Sequence, residues 1–179
     1  MAILRILETP DPVLRQKSIP VEAVTDATRA LIADMFETMY DAPGIGLAAV
    51  QVGVPQRLLV MDLGEPTEEG CEPVKEPRVF INPEIVTFSA DEQPYTEGCL
   101  SVPDQYAEVM RPDRIRARWL DEHGQQHDEQ LDGLLAVCLQ HEMDHLEGVL
   151  FIDHLSRLKR EMVLRKLAKA RKERGLKAA

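Results

Sequence analysis

Apolar residues at helical spacing predict two amphipathic helices. Between Val24 and Tyr40 they recur every three or four positions, and the pattern ends before the turn-forming residues DAPG at 41–44. We expect this first helix to contribute one face to the core. A last helix is predicted from about His154 to Arg174, where apolar residues are interspersed with many basic ones. Part of it is expected to pack on the domain through Met162, Leu164, Leu167, Ala168 and Ala170.

Short segments rich in β-branched and aromatic residues predict strands between these helices. The four predicted strands are Arg57–Leu63, Arg78–Asn82, Glu84–Phe88 and Ile115–Leu120. Between the first two lies GEPTEEGCEPVKEP at 64–77, whose Gly, Pro and Glu content predicts an exposed loop. This loop contains Cys71, to which we assign no function.

A further helix is predicted by an apolar run late in the chain. Residues 134–139 (LLAVCL) are apolar on every side and lead without a break into His141. A helix of this kind is expected to be buried in the middle of the domain. Asp132 is expected to cap its first turn, and Gly148 to end it.

The same helix carries HEMDH at 141–145, which fits the metal-binding pattern H-E-x-x-H. Residues four apart lie on one face of a helix, so His141 and His145 can reach one ion while Glu142 lies beside it as a general base. The alternative is a pair of packed core histidines, which would need partners to offset the cost of burial. A catalytic metal needs a third protein ligand as well.

Five residues are candidates for that third ligand: Cys99, His123, His127, His154 and a downstream carboxylate such as Glu161. The three histidines lie near a turn or beyond the end of the helix, so none is placed in advance for a buried site. Cys99 lies in EGCLSVP at 97–103, where a glycine lets the backbone approach closely and the thiolate would be a soft ligand. Taken alone, a single cysteine is more often a small buried hydrophobic residue.

A glycine-flexed segment, GIGLAAVQVG at 44–53, carries one polar side chain, Gln51, in an apolar run. The segment fits G-x-G-x-x-A, but it follows a helix and Pro43 instead of a strand, so we reject a nucleotide site. The Gln51 amide could bond to neighbouring backbone, or it could donate a hydrogen bond to a developing oxyanion.

The length of the chain and the distribution of its charges predict two parts. With 179 residues and 44% hydrophobic content, the chain is expected to form one catalytic domain, 1–156, with a helical extension, 157–179. The extension has ten Lys or Arg and two Glu, so it carries +8 while the preceding residues carry −18 of the net −10. Such a helix is either a solvated face or a dock for an acidic surface. Three cysteines, no signal-like amino terminus and no long apolar run predict a cytoplasmic protein without membrane segments.

Three motifs in order, GIGLAAVQVG at 44–53, EGCLSVP at 97–103 and QHEMDHLEG at 140–148, closely resemble those of bacterial peptide deformylases. The similarity runs over nearly the whole chain, including TPDPVLR at 9–15. The resemblance implies an α+β fold in which antiparallel strands surround the HExxH helix, with a C-terminal helix. It also implies a metal-dependent hydrolase that removes the N-formyl group from formyl-methionine of nascent polypeptides and releases formate.

The resemblance also assigns roles to residues. The implied metal ligands are Cys99, His141 and His145. Glu142 would be the catalytic base, while the Gln51 amide and the backbone N–H of Leu100 would hold the oxyanion. The residues implied to bind substrate are Ile45, Gly46, Glu97, Leu134, Val137 and Cys138, of which the last three share a helix face with His141. Tyr106 departs from some relatives, which have a basic residue near this point.

Cofactor and partners follow from the resemblance in the same way. We expect one divalent ion per chain, with Fe(II) favoured in the cell and Zn(II), Ni(II) or Co(II) accommodated in purified protein, since two histidines and a thiolate suit each of them. The expected partners are N-formylmethionyl nascent peptides and, through the basic C-terminal helix, the ribosome. We expect a monomer with no sequence-specific DNA binding.

Two other functions fit parts of the sequence. A zinc metalloprotease would use a downstream glutamate such as Glu161, instead of Cys99, as the third ligand. A non-enzymatic ribosome-associated module would have a closed structural metal site, with the basic helix as its working surface. Metal retention after loss of Cys99 separates the first alternative from a deformylase.

Overall fold

A computed structural model of the chain describes residues 1–64 and 74–178. Cys71 and most of its predicted loop lie outside these residues. These residues contain three α-helices: α1 (Asp26–Asp41), α2 (Gly133–Leu146) and α3 (Arg157–Ala178). None of the described helices combines the length and the apolar character needed to cross a membrane.

Seven strands in the described part of the chain form two antiparallel sheets. The larger sheet has the order β1 (Gly46–Ala48), β2 (Leu58–Met61), β3 (Arg78–Phe88), β6 (Arg114–Leu120) and β7 (Gln126–Asp132). The smaller sheet is a hairpin of β4 (Glu92–Cys99) and β5 (Val102–Pro112). The combination of helices and antiparallel sheets confirms the α+β fold.

Helix α2 is buried among these strands, as its apolar sequence predicts. Its core residues Ala136 and Leu139 pack with Phe80 of β3 and Trp119 of β6. Gly148 follows the helix at φ 73°, and a Cβ there would lie 2.5 Å from the carbonyl oxygen of Arg15. The predicted stop at Gly148 is therefore confirmed, because only glycine combines this backbone conformation with so close a neighbour.

Several boundaries differ from those predicted. Arg78–Phe88 is one strand that continues through Pro83 with register shifts, whereas the sequence pattern predicts two. Helix α3 begins at Arg157, three residues later than predicted, because Phe151–His154 forms a separate 3₁₀ helix. The Ser156 hydroxyl then accepts a hydrogen bond from the Lys159 N–H, as an N-cap does.

Helix α3 is partly packed on the domain. Leu167 is buried, as expected, but the second buried residue is Val163, while Met162 and Leu164 remain 49% and 39% exposed. Further along, Arg174 pairs with Glu8, and Arg171 donates to the carbonyl of Thr9. The helix thus rests against the amino-terminal segment as well as against the core.

Candidate active site

Three candidate metal ligands meet at one point. Cys99 ends β4, and His141 and His145 lie one turn apart on α2. One ligand atom from each lies within 4.8 Å of the others, and Cys99 Sγ is 3.3 Å from His145 Nε2. Among the residues that the structure describes, this is the single group of three or more potential ligands.

The other candidates for the third ligand are engaged elsewhere. His127 is 2.8 Å from Asp121, and His154 is 2.8 Å from Asp144. His123 lies near Glu122 on the surface. The Glu161 carboxylate accepts a hydrogen bond from Arg157 on the same helix.

The hairpin geometry brings Cys99 to the helix. A register shift follows Gly98, so that Cys99 pairs with Val102 at the tight end of the hairpin. A Cβ on Gly98 would lie 2.5 Å from Cε1 of Tyr106, whose ring therefore covers this backbone. The glycine in EGCLSVP is thus explained by the close approach of an aromatic ring.

The three candidate ligands suit a divalent transition metal. Two imidazoles and one thiolate are the donor set that zinc and ferrous iron accept. His141 Nδ1 is 2.8 Å from Glu97, which leaves its Nε2 for an ion. A buried imidazole with this second hydrogen bond has a fixed ring orientation, as a ligand should have.

Glu97 is held in a buried ion pair. Arg111 donates to both of its carboxylate oxygens, from Nε at 2.7 Å and Nη2 at 3.0 Å. Burial acts to raise the pKa of Glu97, but the hydrogen bonds from His141 and Arg111 outweigh it and lower the pKa to about 2. Glu97 was predicted to bind substrate, and it does line the groove described below. Its carboxylate, however, is already bonded to Arg111 and His141.

Glu142 is a buried carboxyl group beside the ligands. Burial raises its pKa to about 7, against the effect of the nearby His141. Oε2 has no hydrogen-bond partner among the described residues. A Cβ on Gly46 would lie 2.4 Å from Glu142 Oε1, so the carboxyl group rests on the bare backbone of β1. A carboxyl group with a pKa near neutrality and a free oxygen can take up and release a proton.

Gln51 is also fixed and buried. Its Oε1 accepts from the Ala48 N–H at 2.8 Å, and its Nε2 donates to Ser101 Oγ at 3.1 Å and lies 3.6 Å from Cys99 Sγ. The amide therefore bonds to neighbouring backbone, as one of the two predicted alternatives requires, and its N–H groups face Ser101 and the candidate ligand Cys99.

A groove of about 500 Å³ opens in front of these groups. All of the residues predicted to bind substrate line it: Ile45, Gly46, Glu97, Leu134, Val137 and Cys138. So do Gln51, Cys99, Leu100, His141 and Glu142, whereas His145 does not. Val137 and Cys138 are buried, while Ile45 and Leu134 are 45% and 52% exposed and form the rim.

The amino-acid sequence that forms this site matches a known protein family. The family model for polypeptide deformylases matches residues 3–161. The chain belongs to the polypeptide deformylase family. This family consists of metal-dependent enzymes that remove the N-formyl group from nascent peptides, and the assignment does not favour the metalloprotease alternative.

Individual deformylases resemble the chain over nearly its whole length. The peptide deformylase of Rhizorhabdus wittichii is 70% identical over 174 residues, which are 97% of this chain and 98% of the relative. That of Zymomonas mobilis is 64% identical over the same shares of both chains. A crystal structure of a peptide deformylase from Legionella pneumophila is 45% identical, with a TM-score of 0.87, covering 97% of this chain and 98% of that one.

Three residues near the candidate ligands were not predicted from the sequence: Ser101, Arg111 and Asp144. Arg111 and Ser101 lie in or beside β5, which was not among the predicted strands. Asp144 is inside the HExxH motif, where the pattern leaves the residue type open, and it accepts a hydrogen bond from Arg111. Its position three residues after His141, on the same side of the helix, was the one available signal.

Proposed function

We propose that this groove hydrolyses the formyl amide of N-formylmethionyl polypeptides through the side chains that converge there. The proposal rests on the meeting of Cys99, His141 and His145 beside the buried Glu142 carboxyl group, whose Oε2 has no hydrogen-bond partner within residues 1–64 and 74–178. Release of formate from a formyl-methionyl peptide by the metal-loaded protein tests it.

Cys99, His141 and His145 would hold the ion, and Glu97 would orient His141 through its Nδ1. A divalent ion bound there supplies a water whose pKa is lowered to near 7. We favour Fe(II) as the native ion, with Zn(II), Ni(II) and Co(II) as substitutes. The donor set supports any of these ions without selecting one.

Glu142 would move the proton in this reaction. Its carboxylate takes a proton as water attacks the formyl carbon, and the same group then delivers a proton to the leaving amine. Its pKa of about 7 supports both steps, because a group that titrates near the working pH can accept and donate with little penalty. The free Oε2 atom is available for this exchange.

Gln51 and Leu100 would stabilise the negative charge on the formyl oxygen. Gln51 Nε2 already points towards Cys99, and Leu100 follows Cys99 directly on the wall of the groove. Donors that are fixed before the reaction stabilise charge without the cost of reorientation. The bonds from Gln51 Oε1 and Nε2 to Ala48 and Ser101 provide that rigidity.

The substrate would lie along the groove with its methionine side chain against α2. Val137 and Cys138 form the buried apolar wall, with Ile45 and Leu134 at the rim. An unbranched apolar side chain suits a pocket of this kind. The backbone of Gly46 would pair with that of the peptide.

Gln51→Met should lower kcat for a formyl-methionyl peptide by about 100- to 1000-fold and change KM little. Methionine keeps the length and volume of the side chain but has no N–H group, so the oxyanion loses one donor, and the bonds to Ala48 and Ser101 are lost with it. Steady-state kinetics at equal metal content measures the effect. An unchanged kcat would remove Gln51 from the catalytic groups.

Oxygen sensitivity should depend on the bound metal. Protein loaded with Fe(II) under anaerobic conditions is expected to lose activity in air or dilute peroxide, because the iron or the Cys99 thiolate is oxidised. The nickel-loaded protein is expected to keep its activity under the same exposure. Equal rates of inactivation for the two forms would contradict a ferrous, thiolate-ligated site.

We propose further that residues 1–156 are a single catalytic domain, monomeric and cytoplasmic, and that residues 157–179 dock on the ribosome. The charge of +8 on this helix, against −18 on the rest of the chain, supports an anionic partner. Many of its side chains face solvent, and its buried residues Val163 and Leu167 lie in the first half.

Deletion from Ala168 onward should weaken ribosome binding and leave the turnover of a short formyl-methionyl peptide nearly unchanged. The truncated chain keeps the buried Val163 and Leu167 but loses the ion pair between Arg174 and Glu8, and exposed pairs contribute little to stability. Co-sedimentation with ribosomes over a salt series measures binding, which should fall steeply with salt for the full chain. Equal affinity of both proteins at low salt would show that the helix is only a solvated face.

A further inference from the structure

A chain of hydrogen bonds leads from the metal ligand His141 to the protein surface. Glu97 holds His141, and Arg111 holds Glu97 through Nε and Nη2. The remaining guanidinium nitrogen of Arg111, Nη1, donates to Asp144 Oδ2 at 2.8 Å. The same oxygen lies 2.8 Å from His154 Nε2, which is the outer end of the chain.

Each inner member of this chain is fixed by the next one outwards. Arg111 is 5% exposed and has Glu97 on one edge and Asp144 on another, so all three of its nitrogens are used. Asp144 is less enclosed, with 24% of its side chain exposed. A carboxylate at this depth can turn towards water unless a second donor holds it against Arg111, and His154 is that donor.

The 3₁₀ helix Phe151–His154 also contacts the candidate ligand His141 directly, through Phe151. The ring of Phe151, which is buried, stacks on the imidazole of His141 with centroids 6.1 Å apart and an interplanar angle of 28°. One short 3₁₀ helix therefore supplies two contacts near the candidate ligands, from Phe151 to His141 and from His154 to Asp144. Phe151 limits the tilt of His141, and His154 fixes the Asp144 carboxylate.

We propose that His154 is a positioning residue for the metal site, acting through Asp144, Arg111 and Glu97 on the orientation of His141. The proposal rests on the assignment of His141 as a metal ligand under the proposed function. Outer hydrogen-bond partners of metal-ligating histidines change metal affinity about 10- to 100-fold when they are removed. Along the path of hydrogen bonds, His154 is three steps further from His141 than Glu97 is. Its loss is therefore expected to have a smaller effect on metal affinity, about three- to tenfold.

The test compares three variants as metal-free proteins. His154→Ala removes the outer donor, and His154→Gln keeps an N–H near the position of Nε2. His127→Ala is the matched control, because His127 also lies 2.8 Å from an aspartate, is similarly exposed and lies outside the groove lining. Zinc affinity is measured by competition with a chelator, and the unfolding temperature of each metal-free protein is recorded alongside.

We expect about three- to tenfold weaker zinc binding for His154→Ala, near-wild-type affinity for His154→Gln, and no change for His127→Ala. The unfolding temperature of metal-free His154→Ala should fall no more than that of His127→Ala. Unchanged zinc affinity in His154→Ala would overturn the proposal, as would a loss that His154→Gln does not restore. Neither readout requires catalysis, so failure here leaves the deformylase assignment intact, and absence of formate release would leave the positioning role intact.

Discussion

Glu142→Ala is expected to lower the rate of deformylation by about 10²- to 10⁴-fold while the protein keeps its fold and its metal. Glu142 is not one of the three candidate ligands, so its loss leaves the ligand set complete. Its Oε2 atom has no hydrogen-bond partner among the described residues and is available to carry a proton. Loss of the carboxyl group leaves the attacking water without a base and the leaving amine without an acid. Formate production at saturating substrate, normalised to bound metal, measures the loss.

Glu142→Gln is the matched variant for this prediction. The amide has nearly the volume of the carboxyl group and can occupy the space over Gly46, but it cannot carry the proton. Both variants should therefore have similarly low activity and bind one equivalent of metal. Full activity in a well-metallated Glu142→Ala protein would refute the role of Glu142 as catalytic base.

Cys99→Ala is expected to abolish tight metal binding and, with it, activity. Loss of an outer hydrogen-bond partner weakens metal binding by about 100-fold at most. The thiolate is one of only three candidate protein donors among the described residues, so its removal should weaken metal binding by more than that. Metal content after dialysis against a chelator, measured by atomic spectroscopy, gives the result. Cys138→Ala is the matched control, because Cys138 also lines the groove but belongs to no ligand group among the described residues.

Retention of one tightly bound equivalent by Cys99→Ala would contradict this ligand set. A third ligand would then have to come from elsewhere, as in a metalloprotease that uses a downstream glutamate. Glu161 is the sequence candidate, and it lies on α3 in a pair with Arg157. The metal content of Cys99→Ala therefore separates the two ligand sets whichever result is obtained.

The helical parts of the fold were predictable because their sequence signals are local. The apolar run before His141 predicted a buried helix, and Gly148 predicted its end. Spacing alone predicted that His141 and His145 lie on one helix face, and the structure groups their ring nitrogens with Cys99 Sγ. Cys99 could be named as a ligand only through the resemblance to a family, because its approach to the helix depends on the β4–β5 hairpin.

That hairpin was not predicted, since its strands have little apolar alternation. The sequence of β4, EQPYTEGC, contains proline, glycine and several polar residues, and half of its residues are exposed. Its partner β5 contains the buried Arg111, whose burial follows from a distant pairing with Glu97 and Asp144. Contacts between residues far apart in the chain leave no periodic signal, so the support around the metal site became visible only in three dimensions.

The decisive measurement incubates the metal-loaded protein with a short formyl-methionyl peptide and determines formate and free amino termini together. We predict that one formate appears for each new amino terminus, that internal peptide bonds remain intact, and that Glu142→Ala with equal metal content produces almost none. Absence of formate from fully metallated protein, or cleavage at internal peptide bonds in its place, would contradict the account.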